Sequence, residues 1–408
     1  MKIELHMIQN FAPSCLNRDD TNSPKDCEFG GVRRARISSQ CIKRAVRSCF
    51  RSGHLLDSSN LAHRTKRLHQ EVTDRLVKHH KKDASEAAAA AAAAIRGMGL
   101  GLGDDGKTQY LLFLGETEVD AVVRACAGHW DALLKLKAAE DTDRADDARA
   151  AAKGKKGKKD AKSAVPADVA KALQAVLDGG KAADLALFGR MLADMPDKNI
   201  DAACQVAHAI STHRVSMEMD FYTAVDDLKP EDTAGADMMG LVGYNSACFY
   251  RYAVIDYHQL LACNNLNGDR DLGRKTVEAF LQASIQAIPT GKQNTFAAHN
   301  PPAFNLAVVR KNGFPINLAN AFLKPVRASE QADLAQGSVN AMAEYWNGVH
   351  KVYGSEGLVA AICCGTTKPG EECMPTAEGY AWNDVGSVAK LIEVVVDKLA
   401  AADKEEAK

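Results

Sequence analysis

An α+β fold is predicted by three features of the sequence. Residues 2–11 alternate as a strand does, residues 39–52 carry the spacing of an amphipathic helix, and residues 204–212 and 247–256 alternate again on either side of an excursion. Strands that recur far apart, with helices between them, suit a mostly antiparallel sheet covered by helices.

The first strand puts Ile3, Leu5, Met7 and Gln9 on one side and Lys2, Glu4, His6 and Ile8 on the other, and is expected to be half-buried. The polar run PSCLNRDDTNSPKD follows, and its Pro, Asn and Asp residues favour a long ordered loop, the kind of segment that tends to carry function. Asp19 and Asp20 are hard oxygen donors, but no third acid stands at a ligand spacing and Arg18 can neutralise one of them, so no metal is expected.

The helix that comes next is the densest signal in the chain. Between Glu28 and Asp57 there are seven Lys or Arg and no acid. Ser38 is placed to cap the helix and Gly53 to end it. At about 100° per residue, Gln40, Lys43, Arg44, Arg47 and Arg51 share roughly one third of the circumference, opposite Ile42, Ala45, Val46 and Cys49. An arbitrary basic helix is often only a solvated surface. A long run with no carboxylate is nevertheless what a phosphate-tracking face needs, with arginine as a planar fork and lysine as a mobile charge.

From His54 to Leu187 the texture changes to eight consecutive alanines (Ala87 to Ala94), a glycine-rich interruption at Gly97 to Gly106 and Ala/Asp/Lys-rich stretches. This predicts a helical insertion with mobile linkers and little burial of its own. Lys153, Lys155, Lys156, Lys158, Lys159 and Lys162 form a charged segment that is either a solvated loop or a sequence-independent grip on DNA.

Beyond Pro196 the strand pattern returns, with Cys204, Val206, His208, Ile210 and Thr212 on one side and His213 on the other, so the two histidines cannot form one catalytic pair. Val215 to Asn245 is an excursion whose Phe221, Tyr222, Met238, Met239 and Leu241 would be a liability in an isolated domain, but suit stacking on or between bases. A helix over Asp271 to Ala287, a strand over Ala303 to Val309, and helices near Leu318 to Leu323, Glu330 to Val352 and Val385 to Ala402 complete the cover. Lys292, Gln293 and Asn294 sit on a turn able to meet sugar and phosphate, and no phosphate-loop framework surrounds them.

Composition narrows the function classes. With 46% hydrophobic residues and a net charge near −1, the chain suits a folded protein whose polyanion binding must come from local clustering. The alternating start and the lack of a long apolar run predict neither a signal peptide nor a membrane span. Eleven cysteines without C-x-x-C pairs point to reduced thiols, and a cytoplasmic setting is expected.

The motifs PSCLNRDD, FGG-x-RR-x-RISSQ-x-x-KRA-x-R, ALFGRM, AHAISTH with FYTAVDDL, FYRYA and GKQNTFAAHNP occur in one order along the chain. Together they resemble the backbone subunit of the type I-E CRISPR Cascade complex, of the repeat-associated mysterious protein superfamily. The resemblance implies a ferredoxin-like or RRM-like palm (residues 1–53 and 189–408), a helical fingers insertion (54–188) and a β-hairpin thumb (about 215–246). It further implies a non-catalytic subunit, without cofactor, that polymerises head to tail on a CRISPR guide RNA and presents it to a target DNA strand. Large, small and guide-end-capping Cascade subunits would be its companions.

On this resemblance the guide-binding residues are Asn17, Arg18, Asp20, Lys25, Ser38, Gln40, Lys43, Arg44 and Arg47, with Met191, Phe221, Tyr222 and Met239 against the bases, and the six lysines on DNA. Two alternatives stay open: a guide-processing endoribonuclease of the same superfamily, for which His299 is the candidate acid or base, and a lone RNA-binding regulator. Target cleavage through Asp19 or Asp20 is a lesser form of the first.

Overall fold

A computed structural model describes residues 1–135, 166–178, 180–192, 195–224, 227 and 238–406. The six lysines between Lys153 and Lys162 lie outside the described residues, as does most of the excursion's tip. The backbone divides into two units, one of Met1–Leu56, Cys204–His258 and Arg270–Lys408, the other of Asp57–Ala203 and Gln259–Asp269.

The fold is mixed α+β, as the alternating and helical patterns indicated. In the first unit the strands are β1 (Lys2–Ser14), β2 (Asp26–Phe29) and β3 (Val32–Ile37), and the second unit contributes β4 (Ala62–Thr65) and β5 (Leu112–Gly115). The first unit resumes with β6 (Cys204–Val206), β7 (Ala209–Ser211), β8 (Glu218–Ala224), β9 (Met238–Asp256), β10 (Phe304–Arg310), β11 (Leu358–Gly365) and β12 (Asn383–Asp384). Its sheet runs β12-β11-β10-β1-β9-β7-β3-β2, with β6 and β8 also paired to β9. β1 lies between β10 and β9, antiparallel to both, so that His6 faces Leu306 on one side and Tyr252 on the other.

β1 is buried on both faces, which corrects the half-buried expectation. On the odd face Met7 meets Ile42 and Val46 of the basic helix and Phe280 of the helix Arg270–Gln286. On the even face Ile8 joins Tyr250, Tyr252, Phe304, Leu306 and Trp346, the last from the helix Leu334–Tyr353. Glu4 and His6 therefore lie in the interior with no solvent contact.

These polar groups persist there because each finds partners. Glu4 Oε1 accepts from Arg310 Nε at 2.6 Å, and its Oε2 accepts from Tyr252 Oη at 2.9 Å and the Ile316 N–H at 2.7 Å. The Leu318 N–H donates to the Tyr250 oxygen at 2.9 Å, and the same Tyr250 hydroxyl is hydrogen-bonded to His6 Nδ1 at 2.9 Å. Burial, reinforced by the Arg310 charge, drives the His6 pKa down to about 3, so the imidazole is neutral.

Three further strands were not expected. Asp26–Phe29 and Val32–Ile37 pair as a hairpin, because Gly30 (φ 63°) and Gly31 (φ 73°) supply the two left-handed residues of a tight turn. A side chain at Gly30 would also overlap the Leu323 backbone. The apolar run LVAAICCG (Leu358–Gly365) is an interior strand beside β10.

The second unit has its own core, where little burial was expected. The helix Ala84–Gly97 is capped by Asp83, whose Oδ1 accepts from the Ser85 and Glu86 N–H groups at 2.8 and 3.1 Å. Ala87, Ala90, Ala91 and Ala94 are fully buried, and their small side chains let the helix approach Leu68, Val72, Leu112, Val119 and Leu173 closely. The glycine-rich interruption is a set of turns closed by a bridge between Leu102 and Thr108, and β4 and β5 form a two-stranded ribbon. All eleven cysteines are free, and no described helix is long and apolar enough to cross a membrane.

Candidate nucleic-acid interface

The basic helix spans Ser39–Ser52, with Ser38 as its cap: the Ser38 Oγ accepts from the Cys41 N–H at 3.3 Å. Ile42, Val46 and Phe50, one turn apart, anchor it to the sheet, while Ala45 and Cys49 are half-buried. At its C-terminus the helix stops at Gly53 as expected, although Gly53 keeps a right-handed conformation and it is the next residue, His54, that takes the positive φ (50°).

The Asn17–Lys25 loop is tied to the start of this helix. Asn17 Oδ1 accepts from the Ser38 N–H at 2.8 Å, and the Asn17 carbonyl accepts from the Lys25 N–H at 2.8 Å. Arg18 bridges to Pro24 through the backbone and donates from its guanidinium to Asn22 Oδ1. Asp19 serves the loop itself: its Oδ1 accepts from the Thr21 N–H at 2.9 Å, the Thr21 hydroxyl at 2.8 Å and the Ser23 N–H at 2.9 Å. Those hydrogen bonds, the Thr21 hydroxyl first, hold the Asp19 pKa below the usual carboxylate range.

Loop and helix form two walls of an open groove of about 820 Å³, and residues 286–291 with His299 form the third. Gly291 makes the third wall possible, since a Cβ there would overlap the Leu16 and Cys15 carbonyl oxygens. Asn17, Arg18, Asp20 and Arg44 line this groove, together with Ser48 and Ser52. The two serines follow Arg44 at i+4 and i+8, a helical spacing that was available in the sequence and passed over because serine carries no charge. Cys41 and Cys49 also line it, and burial raises both thiols above their ordinary pKa, so they are neutral lining.

The other expected residues distribute differently. Lys43 and Arg47 lie on the flank of the helix away from the groove, are half-buried, and interact with other groups of the chain, as does the exposed Arg51. Gln40 is exposed at the first turn and Lys25 is half-buried at the foot of the loop. The arginines before the helix serve the sheet. Arg34 is fully buried and donates to the Phe322 carbonyl at 2.6 Å and the Ser211 carbonyl at 3.3 Å, while Arg33 pairs with Asp26 at 2.6 Å. Gln293 turns inward, donating to the Pro289 carbonyl at 3.1 Å.

The strand expected over 204–212 breaks at residues 207–208 and resumes with the opposite phase, so Ala209 and Ser211 are buried. His208 is exposed and lies 3.3 Å from Arg36. His213 donates from Nδ1 to the Arg214 carbonyl at 2.8 Å and accepts at Nε2 from the Cys248 N–H at 3.1 Å, an arrangement that requires the neutral ring. Burial, aided by the Arg34 charge, lowers its pKa accordingly.

The excursion is a hairpin of β8 with the first half of β9, in the register Phe221↔Leu241 and Met219↔Gly243. Strand alternation sets Met219, Phe221, Met239 and Leu241 on one face, and these are 57–67% exposed. Tyr222, grouped with Phe221 in the sequence reading, falls on the opposite face across Gly240, where a Cβ would overlap its ring. A Cβ at Gly243 would come within 3.2 Å of the Pro24 ring, so the hairpin base adjoins the Asn17–Lys25 loop.

In the second unit Met191 is 84% exposed. The preceding Arg190 holds it there, being buried against both Glu118 carboxylate oxygens at 2.9 Å and donating to the Lys198 carbonyl at 3.2 Å.

Comparison with known proteins agrees with this architecture. The sequence model of the CT1975-like protein family matches residues 3–387. A chain of a "CRISPR RNA-guided surveillance complex, pre-nicking" superposes with a TM-score of 0.79 at 30% identity, covering 98% of this chain and 100% of that one. A chain of a second "CRISPR RNA-guided surveillance complex" shares the fold, with a TM-score of 0.70 at 24% identity and 98% and 100% coverage. No curated protein matches. Matched over nearly its whole length, the chain belongs to the CT1975-like protein family and is built like a chain of CRISPR surveillance complexes.

Proposed function

We propose that this protein is the guide-RNA-binding backbone subunit of a type I-E Cascade complex, and that it is not itself a nuclease. The sheet unit acts as an RRM-like palm, the insertion as fingers and the β8–β9 hairpin as a thumb. Copies line up head to tail along one guide RNA and hold it extended for pairing with target DNA, the lysines at 153–162 adding a sequence-independent grip on the duplex. Such contacts make an open filament, whose length the guide and the companion subunits would set.

The observation that carries this reading is the hairpin. A ribbon with Met219, Phe221, Met239 and Leu241 all exposed on one face makes a poor free surface and a good wedge against bases, which stack on apolar side chains whatever their sequence. It rises beside a groove holding Arg18 and Arg44, where a ribose-phosphate chain can lie.

Native mass measurement of the protein on guide-length RNA is expected to give several copies per RNA, the number growing with RNA length. The affinity should fall with salt at a log–log slope of about 0.7 per phosphate neutralised, and Arg44→Ala should flatten that slope. One copy per RNA, or a slope unchanged in Arg44→Ala, would refute the assignment. RNA cleavage that disappears in His299→Ala would replace it with the endoribonuclease reading.

A further inference from the structure

Asp20 is out of place in a groove meant only for phosphate. It is exposed and lines the groove with Arg18 and Arg44. Among the described residues neither the Asp20 nor the Arg44 side chain has a hydrogen bond or an ion pair. Its neighbour Asp19, which also lines the groove, spends Oδ1 on three hydrogen bonds within the loop, and those bonds, with the Arg18–Pro24 bridge, hold the Asp20 backbone in place. An unpaired carboxylate repels phosphate oxygens, so its presence calls for a donor on the ligand.

Along a single strand, phosphates only accept, and base amino and imino donors vary from base to base. The ribose 2′-hydroxyl is the one donor repeated at every nucleotide, and DNA lacks it. Resting on the guide-binding reading above, we infer that Asp20 accepts a hydrogen bond from a ribose 2′-hydroxyl and gives the groove its selectivity for RNA over DNA, while Arg44 takes the adjoining phosphate. The carboxylate acts twice, rewarding RNA with a charge-assisted hydrogen bond and penalising DNA, which brings phosphate without a donor.

The test measures binding of the full chain, by fluorescence anisotropy, to single-stranded RNA, to DNA of the same mixed sequence, and to fully 2′-O-methylated RNA. The wild type should prefer RNA over both by about tenfold, the factor of one charge-assisted hydrogen bond. Asp20→Ala should collapse that ratio, lowering RNA affinity and raising DNA affinity. Asp20→Asn, which still accepts, should keep part of the ratio, and Arg44→Ala should weaken RNA and DNA alike. A ratio unchanged in Asp20→Ala, with tight RNA binding retained, overturns the role of Asp20 alone. A ratio abolished by EDTA overturns it in favour of a bound cation. Failure of the wild type to bind RNA overturns the guide-binding reading as well.

Discussion

His6 shows how far a residue's surroundings can move its chemistry. It occurs in a strand pattern that looked half-exposed, yet it is sealed between Tyr250 and Tyr252 with Arg310 nearby, and its pKa falls from 6.5 to about 3. Because the folded-state value lies below the unfolded one, the unfolded chain binds the extra proton throughout that interval. The stabilisation is therefore complete above about pH 6.5 and is lost as the pH falls toward about 3, at about 1.4 kcal/mol per unit. His213 acts in the same direction, since protonation would take away its acceptor for the Cys248 N–H. Urea midpoints measured across this range should fall with pH in the wild type and fall less in His6→Gln, which keeps a hydrogen-bond partner for Tyr250 and removes the titrating ring. Parallel curves for the two proteins would contradict the buried-neutral assignment.

At the scale of the element, the hairpin and the basic helix each divide what the sequence had grouped. Alternation along β8 separates Phe221 from Tyr222, leaving Phe221 with Leu241 on the apolar face. Exposure at 59% and 63% means that these two contribute little to folding, so Phe221→Ser with Leu241→Ser should change stability by less than about 0.5 kcal/mol. The same double substitution should reduce the number of copies assembled on one RNA. A large loss of stability, or undiminished assembly, would mean that the apolar face packs inside the chain or has no part in assembly. In the basic helix Arg44 faces the groove with Ser48 and Ser52, whereas Lys43 and Arg47 lie on the other flank among groups of the same chain. One charged stripe thus serves both the groove and the fold.

For the whole molecule, the organising feature of the first unit is the long central strand β1. Just past its end at Ser14, Leu16 lines the groove, and toward its start Glu4 is bound to β10 through Arg310, to β9 through Tyr252 and to the segment at Ile316. Removing one member of a buried ion pair strands the other charge, so Glu4→Ala should destabilise the protein by roughly 3–5 kcal/mol. Since Glu4 and the groove occupy opposite ends of β1, RNA affinity per folded molecule should be unchanged. Denaturant titration and RNA binding on the same variant separate the two effects, and a parallel loss of affinity without loss of stability would show that the groove depends on this network.

The sequence by itself determined the local features: the α+β class, the capped basic helix, the alternation of the first strand, and an excursion rich in exposed apolar residues. Each depends on spacing and residue type within a few turns, which a linear pattern records directly. The tertiary structure alone decided which patterned faces meet protein and which meet solvent. Arg34 became a buried tether, Glu4 and His6 became interior groups, and the alanine run became a packing surface, because each depends on a neighbour far away in sequence. The groove belongs to the same class. Residues near positions 17, 44 and 290 come together only because β1 and the two helices beneath it bring three distant segments to one end of the sheet, and no local pattern encodes that meeting.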